Sequence, residues 1–254
     1  YDHPFNFSAQ CNLGVAAATG EYVVLLNNDT EIVQPNWLEQ MLNHGQRPEV
    51  GAVGARLVYP EKGTIQHAGV ILGLDRLAAH CFSKVSMHEP GYMNRLQVDQ
   101  DYSAVTAACM LVRKSIYQDL GGMNETDTPV LFNDVDFCLR LREAGHLVVW
   151  TPGATLVHHE NKSLVLESSN LRKRADASVR DEKTADFMHQ RWHKWLADDP
   201  AYNRHLSLLD GSSYTPEPVL VADWDRKFHD RPRVLAQPPA GGVGAGREGW
   251  PLRH

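Results

Sequence analysis

Three short polar clusters in this chain set carboxylates, amides and imidazoles at spacings that can do chemistry. The first, Asn27-Asn28-Asp29, closes the apolar run Tyr22-Val23-Val24-Leu25-Leu26. Amide and carboxylate oxygens side by side suit a hard divalent ion, Mg2+ or Mn2+, that substrate phosphates also hold. The same triplet can instead cap a helix or make a turn. The second cluster, Asn133-Asp134-Val135-Asp136, opens a predicted helix over 133–144. Carboxylates in a first helical turn complement the helix dipole, and Asn133 as N-cap with Asp136 three residues on makes a capping-box-like pair. Asp134 and Asp136 diverge at this spacing, so one can cap while the other faces a cleft as a general base. The third is His158-His159, followed by Glu160. Neighbouring side chains on an extended segment point opposite ways, so only one histidine is expected to join a metal. Sharing an ion with Asp29 requires side chains that converge within about 10 Å. His158 is favoured because it directly follows the predicted strand 154–157.

Positioning these groups falls to alternating strands and helices. The run 22–26 reads as a strand buried on both faces, as in a parallel sheet, which puts Asn27, Asn28 and Asp29 at the strand end where ligands sit in open α/β sheets. Before it, residues 4–14 read as a loop leading into a short helix at 15–19. After it, Pro35 starts a helix with Trp37, Leu38, Met41 and Leu42 on one face. Strands are expected at 50–58, 64–72, 102–112, 146–150 and 154–157, with Pro152-Gly153 separating the last two. The irregular stretch 73–101 reads as a substrate-side loop. A short helix stops at Gly121-Gly122, and a long polar helix over 168–196 docks through Phe187, Trp192 and Trp195. The runs Arg172-Lys173-Arg174 and Arg140/Arg142 read as solvated helix faces. The Pro/Gly-rich residues 237–246 cannot pack a core.

Composition excludes several classes. The 254 residues are 43% hydrophobic and 22% charged with a net charge of -6, which argues against a general nucleic-acid binder. The four cysteines have no paired spacing and read as reduced thiols rather than a zinc site or disulfide framework. No apolar run approaches the roughly 20 residues that span a bilayer, and no signal peptide is visible. A dinucleotide dehydrogenase is disfavoured because no Gly-X-Gly-X-X-Gly follows a strand.

Five segments together carry a resemblance: residues 5–32 (FNFSAQCNLGVAAATGEYVVLLNNDTEI), 47–73 (RPEVGAVGARLVYPEKGTIQHAGVILG), 103–117 (SAVTAACMLVRKSIY), 132–152 (FNDVDFCLRLREAGHLVVWTP) and 156–163 (LVHHENKS). In this order they resemble family-two glycosyltransferases of the branch that builds rhamnose-containing and O-antigen-type polysaccharides; residues 199–208 (DPAYNRHLSL) also fit. The resemblance implies an α/β, GT-A nucleotide-diphospho-sugar transferase fold, Rossmann-like with a mostly parallel central sheet. It implies an inverting, metal-dependent transfer of a sugar, rhamnose among the candidates, from a nucleotide diphospho-sugar to a growing, lipid-linked glycan. The setting is cytoplasmic, with peripheral membrane association an option. Asn27-Asn28-Asp29 stands at the family's Asp-X-Asp position, where the final carboxylate binds Mn2+ or Mg2+; Asn12 joins these three in binding the donor. Asp134 stands at the catalytic base and Asn133 where many members have Glu. His158 or His159 stands where a late histidine completes the metal site.

Set against this resemblance, the chain is expected to start after the family's opening nucleotide-binding strands. The expected division is therefore an N-terminally truncated catalytic domain at 1–165, a helical extension at 166–225 and a disordered tail at 226–254. The strand 22–26 is then expected to lack a neighbour on one side, and the chain to depend on an upstream segment of a parent protein. Two competitors stand beside transfer: a non-catalytic module of a polysaccharide assembly protein, and a metal-dependent hydrolase using Asp29, Asp134 and His158.

Overall fold

The computed structural model describes residues 3–60, 63–159 and 171–209. Five strands form the body of one sheet in the order β1-β8-β3-β9-β2, with β4 added on β3 and β7 on β9. The seven strands are β1 (Tyr22–Leu26), β2 (Thr30–Ile32), β3 (Val50–Val58), β4 (Ile65–His67), β7 (Gln100–Asp101), β8 (Cys109–Arg113) and β9 (Leu147–His158). A separate hairpin joins β5 (Val70–Leu72) to β6 (Ala78–His80). Helices α1 (Phe7–Ala17), α2 (Trp37–Gly45), α3 (Lys114–Asp119), α4 (Asn133–Glu143) and α5 (Leu171–Ala197) complete the described chain.

The sheet is mixed. Its longest pairing, β3 with β9, is parallel, as expected of the centre. The flanking pairings are antiparallel: β1–β8, β3–β8, β2–β9, β3–β4 and β7–β9. This corrects the reading of 22–26 as buried on both faces. Strand β1 ends the sheet, buries Val23 and Leu25, and leaves Leu26 42% exposed. One core, holding Val105, Phe137, Trp150 and Trp192, includes α4 and α5. The other packs Met41 of α2 against Val53, Leu57, Leu111 and Leu156.

Several predicted boundaries shift for physical reasons. Residues 4–14 are not a loop. Helix α1 starts at Phe7 because Asn6 Oδ1 accepts the N–H of Ala9 at 2.9 Å, and no apolar stripe advertises it. The strand expected at 64–72 is broken between β4 and β5 at Gly69, whose φ of +100° admits glycine. Strand β8 begins only at Cys109, so residues 103–108 are free to make side contacts. The two strands expected around Pro152-Gly153 are one, β9, whose register on β3 slips there. The stretch 73–101 is no loose loop: Leu77, Cys81, Phe82 and Leu96 are buried in the core.

Nor are Arg140 and Arg142 a solvated face. Arg140 Nε donates to Asp136 at 2.9 Å, and Arg142 Nη2 donates to Asp101 at 2.7 Å. Helix α5 docks as expected, with Trp192 fully buried and Phe187 and Trp195 partly so. The expected tail at 226–254, Glu160, residues 166–170 and 210–225 of the extension, and the side chains of Arg172, Lys173 and Arg174 lie outside the described residues. All four cysteines are free thiols. Among the described residues no helix is long and apolar enough to cross a membrane.

Candidate active site

The turn after β1 folds back on itself, with Thr30 donating from both N–H (3.2 Å) and Oγ1 (2.6 Å) to the Asn27 carbonyl. That turn sets Asp29 beside the end of β9, where Thr30 pairs with His158. Asp29 Oδ1 and His158 Nε2 lie 3.1 Å apart, so the two side chains converge. Asn27 Nδ2 is 3.2 Å from the same imidazole nitrogen, while Asn28 is exposed at the turn. The other imidazole nitrogen, Nδ1, is 2.7 Å from Gln66 Oε1 on β4. An amide oxygen only accepts, so Nδ1 carries a proton; in the neutral ring Nε2 then presents a lone pair toward Asp29 and Asn27.

A lone pair and a carboxylate oxygen facing one another form a pocket for a cation, and turning the Asn27 amide would add its oxygen. Two or three protein ligands fit an ion whose remaining partners are substrate phosphates and water. Among the described residues no group of three or more His, Cys, Asp or Glu could hold a metal by itself. His159 does not join this pair. Its Nε2 lies 3.4 Å from Glu31 Oε2 at the exposed surface, one residue beyond the end of β9.

The second cluster divides cleanly. Asp136, 1% exposed, accepts from Arg140 Nε and from Trp192 Nε1, each at 2.9 Å, so both of its oxygens are engaged. Asp134 is half-buried and, among the described residues, accepts only backbone N–H groups: Val135 at 2.9 Å and Ala107 at 3.1 Å. The capping-box expectation is corrected. Phe132, at φ +56°, is the N-cap and makes no side-chain cap bond. Asn133 instead donates its amide to the Val130 carbonyl at 2.7 Å, and Asp136 is held by α5.

The two clusters meet at residues 106–108. Ala107 N–H holds Asp134, while the Ala108 carbonyl accepts the N–H of Asn27 at 3.0 Å. Nearby thiols offer no nucleophile. Burial, with a smaller push from the Asp134 charge, raises Cys11 to about 12, and burial raises Cys138 to about 12 as well.

Asn12, expected among the donor ligands, has its side chain engaged within the protein. Its Oδ1 accepts from Tyr117 Oη (2.6 Å) and Met123 N–H (2.9 Å), and its Nδ2 donates to the Met123 carbonyl (2.9 Å) and Glu125 Oε1 (2.8 Å). An amide with four such bonds is occupied in tying α1 to the 117–125 segment. Conversely, the sequence reading passed over Gln66 and the 106–108 backbone. Gln66-His67, two polar residues inside the apolar run 64–72, were the available signal.

Comparison with known proteins bears on the same residues. The model of the glycosyltransferase like family 2 matches residues 6–184. An uncharacterized protein of Sinorhizobium fredii is 46% identical over 81% of this chain and 22% of its own length. The O-antigen biosynthesis protein RfbC of Myxococcus xanthus is 38% identical over 82% of this chain and 16% of its own. An N-acetylglucosaminyl-diphospho-decaprenol L-rhamnosyltransferase of Mycobacterium tuberculosis is 27% identical over 56% of this chain and 48% of its own. The chain thus spans about a fifth of the length of the first two relatives.

Proposed function

We propose inverting sugar transfer, from a nucleotide diphospho-sugar to a growing glycan, on the premise that the chain belongs to glycosyltransferase family 2. One observation carries the reading: of two carboxylates in one helical turn, Asp136 is engaged by Arg140 and Trp192, while among the described residues Asp134 is steadied by backbone N–H groups alone. A carboxylate held that way has a fixed direction and keeps lone pairs for a proton.

In this reading Asp134 accepts the proton of the acceptor hydroxyl. The hydroxyl oxygen bonds to the anomeric carbon from the side opposite the diphosphate, and the bond from that carbon to the diphosphate oxygen breaks. Asp29 and His158, with Asn27 turned oxygen-first, would hold Mn2+ or Mg2+, and Asn28 at the same turn would contact the donor. The ion, when bound, neutralises charge on the diphosphate. Gln66 keeps the His158 ring oriented, as partners behind metal-bound histidines do. The O-antigen and rhamnosyltransferase relatives support a rhamnose-like donor sugar and a lipid-linked acceptor; a cytoplasmic setting at a membrane surface belongs to the same proposal.

Binding and transfer test this separately. Calorimetric titration with dTDP-, UDP- and GDP-sugars is expected to show binding that strengthens with MnCl2 and loses that dependence in Asp29→Asn. Asp134→Asn is expected to keep donor binding and to change stability by no more than about 1 kcal/mol. The same change should slow transfer on the order of a hundred- to ten-thousand-fold. Transfer at the wild-type rate by Asp134→Asn rejects the base assignment. Lack of any Mn2+-dependent donor binding points to the non-catalytic module, and free sugar released without acceptor marks a hydrolase.

A further inference from the structure

Strand β4 carries a second polar residue beside Gln66. His67 is fully buried, and its Nε2 accepts the backbone N–H of Thr106 at 3.3 Å. A backbone amide can only donate, so Nε2 bears no proton and the neutral ring carries its hydrogen on Nδ1. That Nδ1 lies 2.7 Å from Nδ1 of His80 on β6, which must therefore be the acceptor. The rings meet edge to face, 4.9 Å between centroids at 89°. Burial, helped by the nearby imidazoles of His80 and His158, holds His67 in its neutral form.

The residue after Thr106 is Ala107, whose N–H holds Asp134. One backbone step thus joins a buried imidazole on one side to the nominated base on the other. The segment has little room to drift. A Cβ on Gly54 of β3 would lie 2.5 Å from Cβ of Val105, so the chain here rests directly on the sheet. Ala108 N–H turns back to Thr106 Oγ1 at 3.3 Å.

We propose that His67, oriented by His80, is a positioning residue for Asp134 and acts through the Thr106–Ala107 backbone. This rests on the reading of Asp134 as the base. A side chain that only satisfied a buried N–H would affect folding alike whatever stands at 134. A positioning residue affects the chemical step, and only while the base is present.

The test measures kcat and donor KM for sugar transfer in the full-length protein, using the nucleotide sugar selected by titration. The variants are His67→Leu, which removes the acceptor, His67→Gln, whose amide oxygen reaches the Nε2 position, and each combined with Asp134→Asn. His67→Leu is expected to lower kcat about 10- to 100-fold, the scale of a small misplacement, with donor KM changed less than about twofold. His67→Gln is expected to recover most of the loss, and His67→Leu to cost nothing further on the Asp134→Asn background. Equal losses on both backgrounds, or an unchanged kcat, overturn the inference. Undiminished transfer by Asp134→Asn alone overturns the base assignment instead. Nitrogen-15 NMR of the unaltered protein gives a readout independent of variant folding. The His67 ring should carry its hydrogen on Nδ1, and a hydrogen on Nε2 overturns the proposal.

Discussion

At the scale of single residues, the structure separates two carboxylates that their spacing alone could not. Both stand in the first turn of α4, and only tertiary partners distinguish them: Asp136 meets Arg140 and Trp192, Asp134 meets backbone. Asp136→Asn keeps an acceptor for the indole but removes the charge opposite Arg140, whose Nη2 is already buried without a partner. Hydrogen bonds to charged groups are worth about 2 kcal/mol, so this variant should lose about that much stability in denaturant melts. It should keep most of its transfer activity, the reverse of Asp134→Asn; a larger stability loss in Asp134→Asn would contradict the division. The approach of Asp29 to His158 was legible because each stands where a strand starts or stops, Asp29 just before β2 and His158 at the end of β9. The partners of Asn12 were not legible, since four bonds into residues 117–125 cannot be read from one asparagine in a sequence.

At the scale of elements, legibility followed apolar content. Strands β1 and β3 and helix α4 stood out because runs of Val, Leu and Ala or an apolar stripe announced them. Helix α1 did not, since it buries only Ser8, Ala9 and Val15 and relies on the Asn6 cap. The break between β4 and β5 was hidden for another reason. Apolar periodicity runs through Gly69, and only the ring of Tyr102 lying against it demands that the chain turn there. A Cβ on Gly69 would lie 2.4 Å from Cδ2 of that ring, in a backbone conformation side chains avoid. Gly69→Ala combines overpacking with backbone strain and is expected to cost about 3 kcal/mol, measured as a shift in the urea midpoint. A shift of less than a third of that would mean Tyr102 yields easily.

At the scale of the whole molecule, the helical extension expected at 166–225 shares the core of the sheet. Met188, Trp192, Leu196 and Tyr202 are buried there, and Asp199 accepts from Leu72 N–H at 2.7 Å and Ser103 Oγ at 2.5 Å. The family match stops at 184, before all of them. A chain cut after residue 184 should therefore lose its cooperative thermal transition, because several large side chains worth about 2 kcal/mol each leave the core. A chain cut after residue 209 should melt like the original. Equal melting of the two would show that the last helical turns are ornament to the fold.

Residues 103–108 rest on the sheet, with Val105 against Gly54, so isotope exchange should reach their amides slowly. The amides of Thr106 and Ala107 belong to no strand, yet each is bound to a side chain, His67 or Asp134. In deuterated water they should exchange as slowly as the ladder amides of β8, not at the pace of a loop. Two loop protons that outlast their neighbours would make the rigidity around Asp134 directly countable, with no substrate present.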